Sequence, residues 1–547
     1  LKNILFLIII YILSSTFTLA QAPDIEWQNT IGGETMDELY SVKQTFDGGY
    51  ILGGWSRGAV GYDKTDAGSG YSDDYWVIKL DENGTILWQN AIGGDGVDRL
   101  AEICQTNDGG YILGGNSNSG ISLDKTEPSR ELDYWIVKID NSGNIMWDKT
   151  IGGNHQDVLY SIQQTSDGGY IAGGNSQSGI SGNKTTSNIG WSDYWIVKLS
   201  ENGSIQWQKS YGGIDSDDLY SLKQTNDGGY ILGGWSDSDI GGNKSEDSRG
   251  EIDYWVVKTD GSGNIEWDKT VGGEDYDCLF SIQQTSDNGY ILGGWSNSDI
   301  GGNKNEDSIN SSDFWVVKLD DTGNILWQNT IGGYGSEQLR SMQQTTDGGY
   351  ILGGFSSSWA SVDKSEDSQG KRDYWIVRLY NDGTKAWDKT IGGDEDDLLF
   401  SIQQTLDGGY ILGGFSQSDA SGDKTEDLVS LGWSDYWVVK LGPDNPLEIE
   451  QPKIFNNFVL NQAYPNPFNP TTTISYYLDI DENVSIAIYN ISGKLITTLQ
   501  NQYQTQGEHS ITWEGTDNYG NNVGSGMYMY QVKAGNFVET KKMALIK

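Results

Sequence analysis

The chain has 547 residues and a formal net charge of −42, from 77 acidic and 35 basic side chains. That balance argues against nucleic acid and anionic membrane surfaces as partners, because like charges repel. Aromatic residues make up 12 % and there are 74 glycines but 8 prolines, which excludes a disordered chain and suits many short strands joined by glycine turns.

The first predicted element is a secretory signal over residues 1–22. Lys2 precedes the apolar run ILFLIIIYIL (4–13), and Ala20-Gln21-Ala22 supplies a small-residue cleavage region. An apolar run of this length reaches about 15 Å as helix, too short for a bilayer core, so no transmembrane segment is expected after cleavage. Export through the periplasm to the outer surface or medium is the expectation. Cys104 and Cys278 fit no metal or redox spacing and read as free thiols.

Residues 23–441 repeat a unit of about 60 residues. Versions of QTSDGGYIAGG begin at 44, 105, 164, 224, 284, 344 and 404. Each unit holds four strand-like pieces, as in LYSIQQT, GYIAGGNS, DYWIVKLS and SIQWQKSYGG of 159–213. Glycines in SDGG and ENG supply the tight turns between them. The repeats are out of phase with the chain. It opens on a fourth strand (IEWQNTIGG, 25–33) and closes on a third (DYWVVKL, 435–441). An open stack would leave an orphan strand at each end, whereas a ring lets the first strand complete the last sheet. The prediction is an all-β, seven-bladed β-propeller closed by its N-terminal strand. The order YILGG, DYW, ILW resembles kelch-type propellers over roughly 24–441.

Residues 442–457 read as a linker, and 458–547 as a small Ig-like β-sandwich. The tail closely resembles the C-terminal sorting domain of type IX secretion cargo, through YPNPFNPTT, IYNISGK, SGMYMY and the Lys-flanked end. The resemblance rests on Tyr464, Pro465, Asn466, Pro467, Phe468, Gly526, Tyr528, Lys541 and Lys542. It implies the outer-membrane type IX secretion machinery as a partner, with the cargo then anchored at the surface or released.

Catalytic patterns are sparse. His155 and His509 are the two histidines, one in each domain. The G-x-S-x-G letters at 54–58 rest on a chance Gly58, so Ser56 is an ordinary repeat serine. The turn sequences resemble sialidase Asp-boxes in letters but not in spacing. No catalytic residue and no cofactor is assigned, with calcium kept open at the acids.

Three repeated polar sets converge on the long-loop face. One is the acid after Gly-Gly: Asp37, Asp98, Asp157, Asp217, Asp277, Glu337 and Asp397, expected at a channel mouth. Another opens each third strand: Asp74, Asp133, Asp193, Asp253, Asp313, Asp373 and Asp435. The third is a loop lysine: Lys64, Lys125, Lys184, Lys244, Lys304, Lys364 and Lys424. Either these bind a cation or ligand, or they form Lys–Asp pairs and turn caps that hold the loops to neighbouring blades. The repeated glutamines from Gln44 to Gln404 read as an inner hydrogen-bond ladder. Six tryptophans break the sevenfold pattern: Trp55, Trp235, Trp295, Trp191, Trp359 and Trp433, with Asn116 and Asn175 at sites equivalent to the first three. They are candidates for binding a glycan or protein, or they cover blade edges. The leading expectation is a non-catalytic binding propeller. A polysaccharide hydrolase or lyase using paired carboxylates and a purely structural surface protein are the alternatives.

Overall fold

The computed structural model describes residues 21–69, 72–429, 433–444, 458–460, 463–478, 481–490, 494–534 and 537–546. The expected signal core and most of the expected linker lie outside these residues. The chain divides into two compact units, Leu1–Pro446 and Leu447–Lys547.

The larger unit is seven four-stranded antiparallel sheets. The first blade runs Asp37–Gln44, Tyr50–Arg57, Asp73–Leu80 and Ile86–Ile92, from the channel outward. Its first hairpin is a tight turn closed by Gly48 N–H donating to Thr45 O (2.9 Å), with Gly48 at φ 87°. Asp47 of that turn accepts from Gly49 N–H and from the third-strand Lys79 Nζ at 3.1 Å. The same ion pair recurs as Lys138–Asp108, Lys198–Asp167, Lys258–Asp227, Lys318–Asp287, Arg378–Asp347 and Lys440–Asp407. Each basic group is buried and its acid half in solvent, which fixes geometry more than it adds stability.

The repeated Gly-Gly answers to close packing. A Cβ on Gly173 would meet Leu219 and Leu222 of the next blade, and one on Gly174 would overlap the Val158 carbonyl. With no side chain there, adjacent sheets interdigitate. Ile112, Tyr134 and Ile136 of one blade pack on Leu159, Ile162, Tyr170 and Trp195 of the next. Fully burying one such Leu or Ile contributes about 1.5–3 kcal/mol.

Closure follows the phase of the repeat. Ile25–Ile31 pairs antiparallel with Asp435–Leu441, in a sheet with Tyr410–Ser416 and Asp397–Gln404. Gln28 Oε1 accepts from Trp437 Nε1 (3.1 Å), as Gln208 does from Trp195 inside blade three (3.2 Å). Seven hairpin N–H groups each donate to the glutamine of the following blade. Phe46 N–H bonds Gln105 Oε1, and Leu406 N–H closes the circle on Gln44 Oε1, both at 2.8 Å. The repeated glutamines therefore tie blade to blade around the ring.

The smaller unit is a sandwich of a three-stranded and a four-stranded sheet. Phe468, Ile474, Ile486, Trp513, Tyr530 and Met543 meet in its core.

Candidate ligand-binding surfaces

The three repeated polar sets do meet, but beneath the loop face. Asp37, Asp98, Asp157, Asp217, Asp277, Glu337 and Asp397 have no solvent exposure. They begin the innermost strands and fold back onto the Gly-Gly turn: Gly94 N–H and Ser119 Oγ donate to Asp98 at 2.7 and 2.8 Å. The expected ring of carboxylates at a channel mouth is thus replaced by a buried one, because each acid caps its own turn. Asp74, Asp133, Asp193, Asp253, Asp313, Asp373 and Asp435 are equally buried. They accept backbone N–H groups of the long loops, such as Ser69 on Asp74 (2.6 Å) and Arg130 on Asp133 (2.9 Å).

The loop lysines do not form the expected direct pairs. Lys64 donates to Gly58 O (3.1 Å), Lys125 to Thr150 Oγ1, Lys184 to Ser210 Oγ (2.9 Å) and Lys304 to Ser298 O (2.6 Å). Lys244, Lys364 and Lys424 likewise meet Thr270, Thr390 and Glu426 O. Lys125 and Lys184 also lie about 5 Å over the Trp135 and Trp195 rings. Burial pushes the acids up: Asp37 and Asp217 to about 7, and Asp74, Asp133, Asp277, Asp373 and Asp397 to about 6. Burial pushes Lys125 and Lys184 down to about 8. No cluster of three or more acids, histidines or cysteines placed to hold a metal occurs among the described residues.

The six asymmetric tryptophans separate into two groups. Trp55 is buried and Trp235 and Trp295 half-buried on second strands, each beside an inner strand: Trp55 is in register with Glu38 and Trp235 with Asp218. Asn116 and Asn175 stand at the same place, and Asn116 Oδ1 accepts from Leu159 N–H at 2.6 Å. Trp191, Trp359 and Trp433 are exposed in loops at the end of the ring where the inner strands begin.

The same loops carry a feature the sequence did not reveal. Each long loop contains a four-residue turn that closes on its lysine, as Gly61 to Lys64 does, and the turn's second residue has positive φ. Gly182, Gly242, Gly302 and Gly422 fill it in blades three, four, five and seven. Blades six, one and two place Val362, Tyr62 and Leu123 there, at φ 49°, 55° and 48°. All three side chains are exposed, with Trp359, Trp433, Val60 and Ile121 on the same run of blades. L-residues in this conformation cost about 1–2 kcal/mol, and a β-branched valine is the least suited to it.

The lining of the central channel was also missed. The fourth residue of each inner strand lines it: Tyr40, Ala101, Tyr160, Tyr220, Phe280, Arg340 and Phe400. Tyr160–Tyr220, Tyr220–Phe280 and Tyr40–Phe400 have ring centroids 4.5–4.8 Å apart. Further in, Glu102 replaces the serine of other blades and accepts from Ile162 N–H (2.8 Å) and Lys223 Nζ (3.1 Å). Burial alone would raise its carboxyl, but Lys223 and Lys43 hold it below the ordinary value.

Residues 467–536 match the FlgD Ig-like domain family. The regulatory protein FlaEY of Caulobacter vibrioides is 25 % identical over 185 residues, 32 % of this chain and 18 % of that protein. The chain thus spans less than a fifth of that curated relative. Among solved structures it is similar to PorZ, a surface component of the type-IX secretion system of Porphyromonas gingivalis. That match has TM-score 0.37 and 11 % identity, over 94 % of this chain and 60 % of that one. The BBS1N–ARL6DN complex gives TM-score 0.40 at 10 % identity, over 78 % of this chain and 98 % of that one.

Proposed function

We propose that this is an exported, non-catalytic propeller that binds a protein or glycan through its long-loop face and is sorted by its C-terminal domain. The observation that carries the reading is the set of strained, exposed apolar residues on blades six, one and two. Val362, Tyr62 and Leu123 hold exposed side chains where the other blades use glycine. Local strain retained against a ready alternative is characteristic of a surface under functional constraint. Trp359 and Trp433 add flat apolar area to the set. The two repeated sets of carboxylates on this face are buried and committed to turn and loop N–H groups, which favours binding.

Sorting rests on the tail's resemblance to type IX cargo domains. Phe468 and Tyr528 of the shared motifs flank Trp513 in the core, while Tyr464 is exposed. Lys541 Nζ donates to Leu460 O at 2.8 Å. No helix among the described residues is long and apolar enough to cross a membrane.

The test is to screen the purified protein on glycan arrays and against surface proteins, then repeat with Trp359→Ala and Val362→Gly. Capture of one ligand class, weakened by both substitutions, is expected. Binding indifferent to both removes the loop-face assignment.

A further inference from the structure

The central channel is a cavity of about 930 Å³ whose charge is opposite to that of the protein. In a chain of net charge −42, its walls carry Lys43, Arg99, Lys223 and Arg340 against a single acid, Glu102. Three of these cations have an acid at hand. Arg99 pairs with the buried Asp73 (2.6 Å), Lys223 with Glu102 (3.1 Å), and Lys43 lies within the field of Glu102.

Among the described residues Arg340 has no acid partner, its hydrogen bond is to Gln338 Oε1 (2.7 Å), and its Nε is buried without an acceptor. Its guanidinium sits 4.3 Å from the Phe280 ring centroid, 5.4 Å from Phe355 and 5.7 Å from Phe400. An always-charged group held by aromatic faces, with donor capacity left over, is built to receive an oxyanion. Blades five and seven have phenylalanine at this position, so the arginine is a departure from the repeat. Ala101 is the other departure: it removes one large side chain from the girdle, three blades away around the ring and so near the far side of the channel.

We propose that the channel is a receptor pocket for a carboxylate borne on a flat apolar body, the carboxylate on Arg340 and the body against the aromatic girdle in the space left at Ala101. The oxyanion takes the free guanidinium edge. The rings of Tyr160, Tyr220 and Phe280 supply apolar contact, and the basic excess of the lining draws an anion that the rest of the surface repels. This pocket is independent of the loop-face reading, since its determinants lie on the inner strands.

The experiment titrates the full chain with benzoate, its neutral isostere benzamide, and inorganic phosphate, by calorimetry and intrinsic tryptophan fluorescence. Benzoate is expected to bind saturably, with benzamide and phosphate at least about tenfold weaker. Arg340→Phe, which restores the repeat residue and keeps the girdle packed, should erase the preference for benzoate. Ala101→Tyr should weaken benzoate by closing the gap. Trp359→Ala should leave benzoate binding unchanged, which separates this site from the loop face. Equal affinity for benzamide, equal affinity for phosphate, retention of binding in Arg340→Phe, or no saturable benzoate binding would each overturn the proposal.

Discussion

Tyr75, Tyr134, Tyr194, Tyr254, Tyr374 and Tyr436 each donate a hydroxyl to the Trp carbonyl of the following blade's third strand, at 2.8–3.1 Å. The seventh position is Phe314, whose ring lies 4.7 Å from Trp375, as the tyrosines lie from their tryptophans. Phe314→Tyr therefore adds one buried hydrogen bond to Trp375 O without repacking. A gain of about 1 kcal/mol is expected, read as a higher urea midpoint; a lower midpoint would show that the carbonyl has no room for the hydroxyl. Val362→Gly moves stability the same way for a different reason. Relief of the left-handed strain should stabilise the fold by about 1 kcal/mol, read as a higher urea midpoint, while ligand capture falls. A stabilised variant that still binds fully would separate the strain from function.

The N-terminal strand is the element on which the ring depends, and Gln28 is its most connected side chain. It accepts from Trp437 Nε1 and donates to Asp423 O at 2.7 Å, so Gln28→Ala leaves a buried indole N–H unpaired. A loss of about 1–3 kcal/mol is expected in chemical denaturation, matched by Gln328→Ala inside blade five. A much smaller effect at Gln28 would mean that the closing strand is only loosely held. This strand was legible in the sequence because the repeat starts and stops out of phase, and only a ring pairs every strand. The Lys79–Asp47 ties were not legible. Asp47 already has a local role in the turn and Lys79 reads as an ordinary strand residue, so nothing in either segment points to the other. The channel girdle was hidden by a bulge. Register slips between Leu39 and Ser41, which breaks the two-residue alternation and turns Tyr40 toward the channel. The available signal was variation, Tyr, Ala, Phe and Arg at one place in a strand otherwise repeated.

At the scale of the whole molecule, the buried acids and lysines form a belt running from blade to blade: Lys64 lies between Asp37 and Asp74, and Lys125 between Asp98 and Asp133. The belt sets the response to pH. Burial raises the folded-state carboxyls to about 7 at Asp37 and Asp217 and about 6 at Asp74, Asp133, Asp277, Asp373 and Asp397. The folded state then binds more protons than the unfolded chain between pH 4 and 7. Stability from these groups is complete below the unfolded value near 4 and is lost as pH rises through 6 and 7. The hairpin acids act oppositely. Against some burial, hydrogen bonds from Thr165 and Lys198 hold Asp167 at about 2, and Asp227 is held there by Lys258 and Thr225, so their contribution disappears as pH falls from 4 toward 2. The lysines lowered to about 8 begin to lose their protons only near pH 7 and leave the window below it untouched. The thermal midpoint should therefore peak near pH 4–5 and fall steadily to pH 8 at constant ionic strength. Asp217→Asn, uncharged throughout, should flatten that decline. A midpoint that rises between pH 5 and 8 would mean that the belt is ionised and paired in the folded protein, contrary to the burial seen here.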